Sequence, residues 1–263
     1  MHAQILASTA TLATTESTES TLPWQSTRRP AGAKFESDER WSSLQELHSL
    51  LQYEGHLHDG HECELFRRRR VKAGQAALMM GQPFDGLYVV RLGTLRSSIS
   101  NADGGVHVLS FPMKGNLLGF DGIYKYSYMS DVVALTDCDL IRIPASDLFA
   151  AGRGINHLEH MAYWASSREI TQEQSAYCLT RSVKSEGRVA RFLLTMSQRF
   201  ADMGYSPNRF ILPMTRRDIG HHLSVTVETV SRAFSALVQQ GIIHVDFREI
   251  NILSHEALCN FER

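Results

Sequence analysis

Between residues 65 and 150 the chain keeps interrupting itself. Runs of β-forming residues, "RVKAGQAALMMG", "GLYVVRLGTLRSSIS", "GVHVLSF" and "DVVALTDCDLIRIP", are each short. Turn signals separate them: Ala73-Gly74, Asp85-Gly86, Gly93, Asn101-Ala102-Asp103-Gly104-Gly105 and Lys114-Gly115-Asn116. Short strands at this spacing with glycine turns predict a small all-β barrel or roll.

The pattern then changes. From 155 to 182 there is no glycine, and Tyr163, Ser166, Ile170, Glu173, Tyr177 and Thr180 recur in steps of three and four. That is a heptad seam on a long helix. A second face, Leu158, Met161, Ala162, Ala165 and Ala176, suits packing on the β-roll. One buried helix in a monomer is the bland alternative. The seam is a poor one, since Glu173 and Ser166 stand where a stable coiled coil wants leucine. In a parallel homodimer Glu173 would meet its twin and weaken association.

Upstream, "ERWSSLQELHSLLQY" carries Trp41, Leu44, Leu47, Leu50 and Leu51 at helical spacing and predicts a short amphipathic helix. Residues 1–35, rich in Ser, Thr and Ala, read as a disordered arm. They lack the basic and apolar regions of a secretory signal. No run of about 18 apolar residues exists, so no membrane span is expected. Four cysteines, Cys63, Cys138, Cys178 and Cys259, are scattered with no CxxC pair, which argues for a cytoplasmic chain without a disulfide framework.

Residues 186–263 hold the most informative segment. "GRVARFLLTMSQRFADMG" is a helix stopped by Gly204. In "MTRRDIGHHLSVTVETVSRAFSALVQQGII" Thr215 caps a first helix, with Asp218 completing an acidic capping box. Ser224-Val225 turns the chain, Thr226 caps a second helix, and Glu228 lies in its first turn, favourable for the dipole. Ile219, Leu223, Val225, Val230, Phe234 and Leu237 form the inward set. "IIHVDFREINIL" alternates like a β-hairpin wing. This is the order of a helix-turn-helix, whose second helix enters the major groove of double-stranded DNA. Arg232 can bridge guanine O6 and N7, Glu228 can accept from cytosine N4, Ser231 can bond either strand, and Val227 can touch a thymine methyl. Thr215, Arg216, Arg217, Thr226 and Thr229 are the candidates for phosphate contacts. With a net charge of −1, DNA binding has to come from such a local patch. The competing reading makes Glu228 and Arg232 a mere surface pair four residues apart.

At these residues the chain resembles the CRP/FNR family of bacterial transcription regulators, and its FNR branch most. The resemblance covers about residues 36–255 and rests on "GLYVVRLGTLR", "GNLLGFDGI", "RVARFLLTMSQRFADMGYSPNRFILPMTRRDIGHHL" and "TVETVSRAFSAL". It implies an α+β chain: a cyclic-nucleotide-binding-like β-roll sensor at 36–150, a long dimerisation helix at 151–185 and a C-terminal winged helix-turn-helix at 186–263. In the FNR branch an E-x-x-S-R signature, here Glu228, Ser231 and Arg232, reads a TTGAT-type half-site. The resemblance therefore implies a homodimer on an inverted repeat, with half-site centres about one helical turn apart. It also implies contact with RNA polymerase through surface loops, of which 101–107 is the candidate. The position of the site relative to the promoter would decide between activator and repressor.

The family's sensors are legible here by what is missing. The segment "GFDGIYKYSYMSDVVAL" has no arginine to pair a phosphate, which argues against cyclic AMP. The oxygen-sensing branch holds a [4Fe–4S] cluster on four cysteines. Ungapped comparison puts Glu39, Ser42, His48 and Ile141 at those places, so the usual cluster is not expected. His56, His58, His61 and Cys63 in "HLHDGHEC" are weak metal candidates, and a solvated loop is the preferred reading. Arg67–Arg70 are read as a solvated strand edge, with phosphate contact as the alternative. No Ser/His/Asp arrangement, phosphate loop or HExxH points to an enzyme. The alternative function is a β-roll signalling or scaffold module whose helical tail binds protein.

Overall fold

Ser43 decides how the described chain begins. The computed structural model describes residues 41–55, 64–100, 104–149, 157–181 and 184–261, with the backbone alone at 175–181. All belong to one compact unit, Lys34–Arg263. Residues 1–35, His56, His58, His61, Cys63, residues 101–103 and the Tyr177 side chain lie outside this description. The amphipathic segment was expected to be helical from its start. Instead Trp41–Ser43 forms strand β1, and helix α1 (Leu44–Leu51) starts only after Ser43, whose hydroxyl accepts the Glu46 N–H at 3.2 Å. The cap sets the helix start, and the three residues before it extend the sheet.

The glycine-punctuated region folds as expected into strands: β2 (Leu65–Val71), β3 (Ala76–Leu78), β4 (Gly86–Leu92), β5 (Leu95–Ser100), β6 (Val106–Ser110), β7 (Leu117–Leu118), β8 (Asp131–Ala134) and β9 (Cys138–Pro144). They make two antiparallel sheets, ordered β1-β2-β9-β4-β7 and β3-β8-β5-β6. The turn at Gly93 shows why glycine is needed. Its φ is +93°, and a Cβ there would lie 2.6 Å from the Asp137 carbonyl oxygen.

The arginine run is largely solvated, as expected, with Arg68 half-buried. On β2, Arg67 pairs with Trp41 of β1 and Arg68–Arg70 pair with β9, and Arg67, Arg69 and Arg70 are exposed. Arg68 pairs with the buried Asp139, Arg91 reaches Asp139 at 3.3 Å and Glu46 at 2.6 Å, and Arg69 donates to the Ala77 carbonyl. Helix α1 is thus tied to the sheet by charges. Burying Asp139 demands such partners.

After α2 (Ala145–Leu148) comes the long helix α3 (His157–Arg181). Leu158, Met161, Ala162 and Ala165 are buried, and Arg168 donates to the carbonyls of Leu51 and Gly115, each at 2.7 Å. On the other side Tyr163 is 63% and Ile170 45% exposed. Ser166 is half-buried and Glu173 exposed. The two-faced helix exists, with one face on the roll.

The C-terminal part runs α4 (Ser185–Asp202), β10 (Arg209–Ile211), α5 (Arg216–Leu223), α6 (Val227–Gln239), β11 (Ile243–Asp246), β12 (Glu249–Ile252) and α7 (His255–Asn260). The sheet order is β10-β12-β11. Strand β10 and helix α7 were not anticipated. Both are short and take their place from pairing with β12 and packing on α4. Helix α5 also packs on β6 of the roll. Val108, Phe111 and Met113 therefore share a buried cluster with Phe192, Ile219, Phe234 and Leu237.

His222 lies inside that junction. Its ring is 5.2 Å from Phe111 and 5.9 Å from Phe192, and its Nδ1 is 3.2 Å from the Val108 carbonyl. A carbonyl only accepts, so Nδ1 carries the proton. Burial pushes the imidazole below its ordinary value, His107 and Arg199 add to this, and the bond to Val108 opposes it. The unfolded chain therefore takes up the proton first. The stability from neutral His222 is complete above the ordinary value of about 6.5 and declines as pH falls below it. Denaturation midpoints measured from pH 8 to 5 should fall for this chain, with a smaller fall for His222→Gln; equal slopes would contradict the assignment.

Candidate nucleic-acid interface

Two helices and a hairpin turn bring the expected residues together. The Thr215 hydroxyl accepts the Asp218 N–H at 3.1 Å, and the Asp218 carboxylate takes the Thr215 N–H at 2.9 Å and its hydroxyl at 2.6 Å. This is a complete capping box. At its other end α5 turns through Ser224, which is left-handed at φ +55°. The turn needs Gly220, because a Cβ there would lie 2.8 Å from the Val225 carbonyl oxygen. The Thr226 hydroxyl accepts the Thr229 N–H at 3.2 Å and starts α6.

The expected inward set is found inside, with Val225 half-buried. Ala233 and Thr229 join it. Burying each large apolar side chain contributes roughly 1.5–3 kcal/mol, so α5 and α6 are held by their shared face. The outer face of α6 then carries Glu228, Arg232 and Ser235 exposed, with Val227 and Ser231 half-buried. Glu228 is held below the usual carboxylate range by its own backbone N–H and then by the Thr226 hydroxyl. It therefore stays an ionised acceptor at neutral pH. Arg232 leans back toward the Thr229 hydroxyl at 3.4 Å.

Among the expected phosphate contacts, Thr215, Thr226, Arg216 and Arg217 are exposed. The Arg216 guanidinium also stacks 5.1 Å above the Phe234 ring, which ties α5 to α6. Thr229 is different. It is buried, and its hydroxyl lies 3.1 Å from that of Thr226 within the cap. Its spacing from Val230 and Ala233 turns it inward, so it supports the helix start from below.

The turn of the expected wing brings one more cation to this surface, Arg248. Arg248 donates to the Pro213 carbonyl at 3.1 Å, and the Leu212 N–H donates to the Arg248 carbonyl. This places Arg248, exposed, beside the start of α5, with Phe247 next to it at 91% exposure. The available signal was a cation within the turn of the predicted hairpin.

In the roll, the groups that would meet a ligand or cluster are engaged elsewhere. The Asp121 carboxylate accepts the Ser130 hydroxyl at 2.7 Å. Cys138 is buried, and its thiol is pushed up by burial and directed at the Thr94 and Thr136 carbonyls. Ser42 and Ile141 are buried, and His48 Nε2 lies 2.8 Å from the Gly55 carbonyl. These donors do not fit an iron–sulfur cluster, which takes thiolates. Among the described residues, no three His, Cys, Asp or Glu side chains are grouped for a metal, and no helix is long and apolar enough to cross a membrane.

Comparison with known proteins agrees with this layout. A family model for the cyclic nucleotide-binding domain matches residues 68–152, and one for the Crp-like helix-turn-helix domain matches 187–261. The transcriptional regulatory protein btr of Bordetella pertussis is 34% identical over 196 residues, covering 74% of this chain and 81% of that protein. The fumarate and nitrate reduction regulatory protein of Escherichia coli is 32% identical over 193 residues, covering 73% and 77%. The structure of FixK2 from Bradyrhizobium japonicum superposes with a TM-score of 0.65 at 27% identity, over 74% of this chain and 96% of that one.

Substituting Gly220→Ala should cost about 1–3 kcal/mol by forcing the turn apart, read as a lowered unfolding midpoint. An unchanged midpoint would show that the turn yields without cost.

Proposed function

The chain belongs to the CRP/FNR family of transcription regulators, with a helix-turn-helix DNA-binding domain, and on that premise we propose that it acts as a homodimer on a TTGAT-like inverted repeat. The observation that carries this reading is the capped α6, which exposes Glu228 and Arg232 on the face opposite Val230, Phe234 and Leu237. Arg232 takes the guanine, Glu228 the cytosine amine, and Ser231 and Val227 the neighbouring base edges. Arg216, Arg217, Thr215 and Thr226 hold the backbone. Thr229 acts only through the Thr226 cap.

The dimer forms along α3 through Tyr163, Ser166, Ile170, Glu173 and Tyr177. Exposed Tyr163 and Ile170 support this reading, because large apolar side chains aligned along one helix face are costly to leave in water. The protein acts in the cytoplasm and contacts RNA polymerase through its surface loops. Cyclic AMP is not the effector, since Asp121 is engaged by Ser130 and the surrounding segment has no arginine.

The test is a binding titration on a duplex carrying the inverted repeat. Arg232→Ala should weaken binding by about 10- to 100-fold, from the ~1–3 kcal/mol of a bidentate guanine contact, with an unchanged unfolding curve. Full affinity in that variant would favour the protein-binding alternative. A second expectation concerns Glu173, whose carboxyl is pushed up by its surroundings and by Glu169. Glu173→Leu should tighten the dimer in sedimentation and raise DNA affinity, and unchanged sedimentation would remove Glu173 from the seam.

A further inference from the structure

Helix α5 is anchored to the β-roll by the His222 bond to the Val108 carbonyl and by one ion pair. Arg96 on β5 reaches 122 residues along the chain and places its Nη1 2.6 Å from Asp218 Oδ1. Asp218 is 5% exposed, and its other oxygen, Oδ2, holds the Thr215 cap. Burial would raise this carboxyl, but the Thr215 and Arg96 bonds outweigh it and hold it below the usual range. The rest of the contact is mainly apolar, through Val108, Phe111 and Phe192 around His222. Apolar surfaces attract without fixing direction, whereas an ion pair of this kind fixes register.

Two further observations bear on what the pair does. Docking leaves Arg216, Arg217, Glu228 and Arg232 exposed, so it does not cover the proposed reading face. Arg96 also uses a single N–H on Asp218, while its buried Nε has no acceptor among the described residues. A buried pair with an unsatisfied nitrogen is weak as a source of stability. Its contribution is to place α5.

We propose that Arg96 is a positioning residue for operator recognition: through Asp218 it fixes the orientation of α5 and α6 on the β-roll, and so sets the half-site spacing that the dimer accepts. This rests on the homodimer and inverted-repeat reading above. In a dimer the two reading helices must meet the major groove one turn apart, and each helix is only as well placed as its attachment to its own roll. Releasing the attachment costs Asp218 one partner but leaves its Thr215 cap bonds in place, and it adds orientational freedom that binding must then remove.

The test compares this chain with Arg96→Met and Arg96→Lys on three duplexes: the TTGAT inverted repeat, the same repeat with one extra central base pair, and a single half-site. Arg96→Met should bind the repeat about tenfold more weakly, the size expected for one coupled polar contact. It should stay within about twofold on the single half-site and discriminate less between the two spacings. Arg96→Lys, which keeps a cation for a one-bond contact, should recover most of the loss. In an Asp218→Asn background Arg96→Met should add nothing further. Equal spacing discrimination in Arg96→Met would overturn the proposal, as would an equal loss on the single half-site, which would make Arg96 merely structural. A parent chain that binds none of the three duplexes would overturn the inverted-repeat reading itself.

Discussion

The Asp218 carboxylate has two oxygens facing two tasks. Oδ2 closes the capping box that starts α5, and Oδ1 meets Arg96 from the β-roll. A group this buried must be paired on both sides, because an unpaired carboxylate would cost several kcal/mol. Local helix geometry and interdomain placement therefore depend on one side chain. Around it, α5 lies on β6, His222 fills the space between Phe111 and Phe192, and the cores of roll and helix-turn-helix merge. The face of α6 that carries Glu228 and Arg232 stays exposed because the opposite face is fully occupied.

The β-roll follows a different economy. Its polar groups are largely turned on one another. Asp139 gathers Arg68 and Arg91, Arg91 gathers Glu46, Asp121 takes Ser130, and Asp85 takes Tyr88 and Tyr128. The Arg91–Glu46 pair ties α1 to the sheet. The Asp121–Ser130 bond uses the acid of the segment in which a cyclic nucleotide would need an arginine and an acid together. Matching a cyclic nucleotide-binding family model over 68–152 therefore describes this roll's architecture and leaves its chemistry to the residues present.

Helix α3 connects the two parts by having two faces. Met161 and Ala165 are lost into the roll, while Tyr163 and Ile170 are left outward. A helix with apolar residues on both sides has to satisfy both. In the proposed dimer the outward face is the seam, with Glu173 on it.

Much of this was legible in the chain itself. Capping residues, glycine turns and apolar spacing are local, so Thr215, Asp218, Thr226, Gly204 and the inward set of α5 and α6 could be placed from sequence. The heptad-like spacing located α3 and separated its two faces. What sequence missed depended on partners far along the chain. Trp41–Ser43 became a strand because Leu65–Arg67 pairs with it. Arg68 was drawn out of the solvated run by Asp139 on β9. Thr229 turned inward with the α6 core, and Arg248 came beside α5 through a carbonyl of Pro213. Sequence by itself determined which segments become helices and turns and which chemical groups α6 can display, because those follow from neighbours within about four residues. Only tertiary structure decided which charges meet, Arg96 with Asp218 above all, because long-range pairing leaves no period in the chain that joins the two residues.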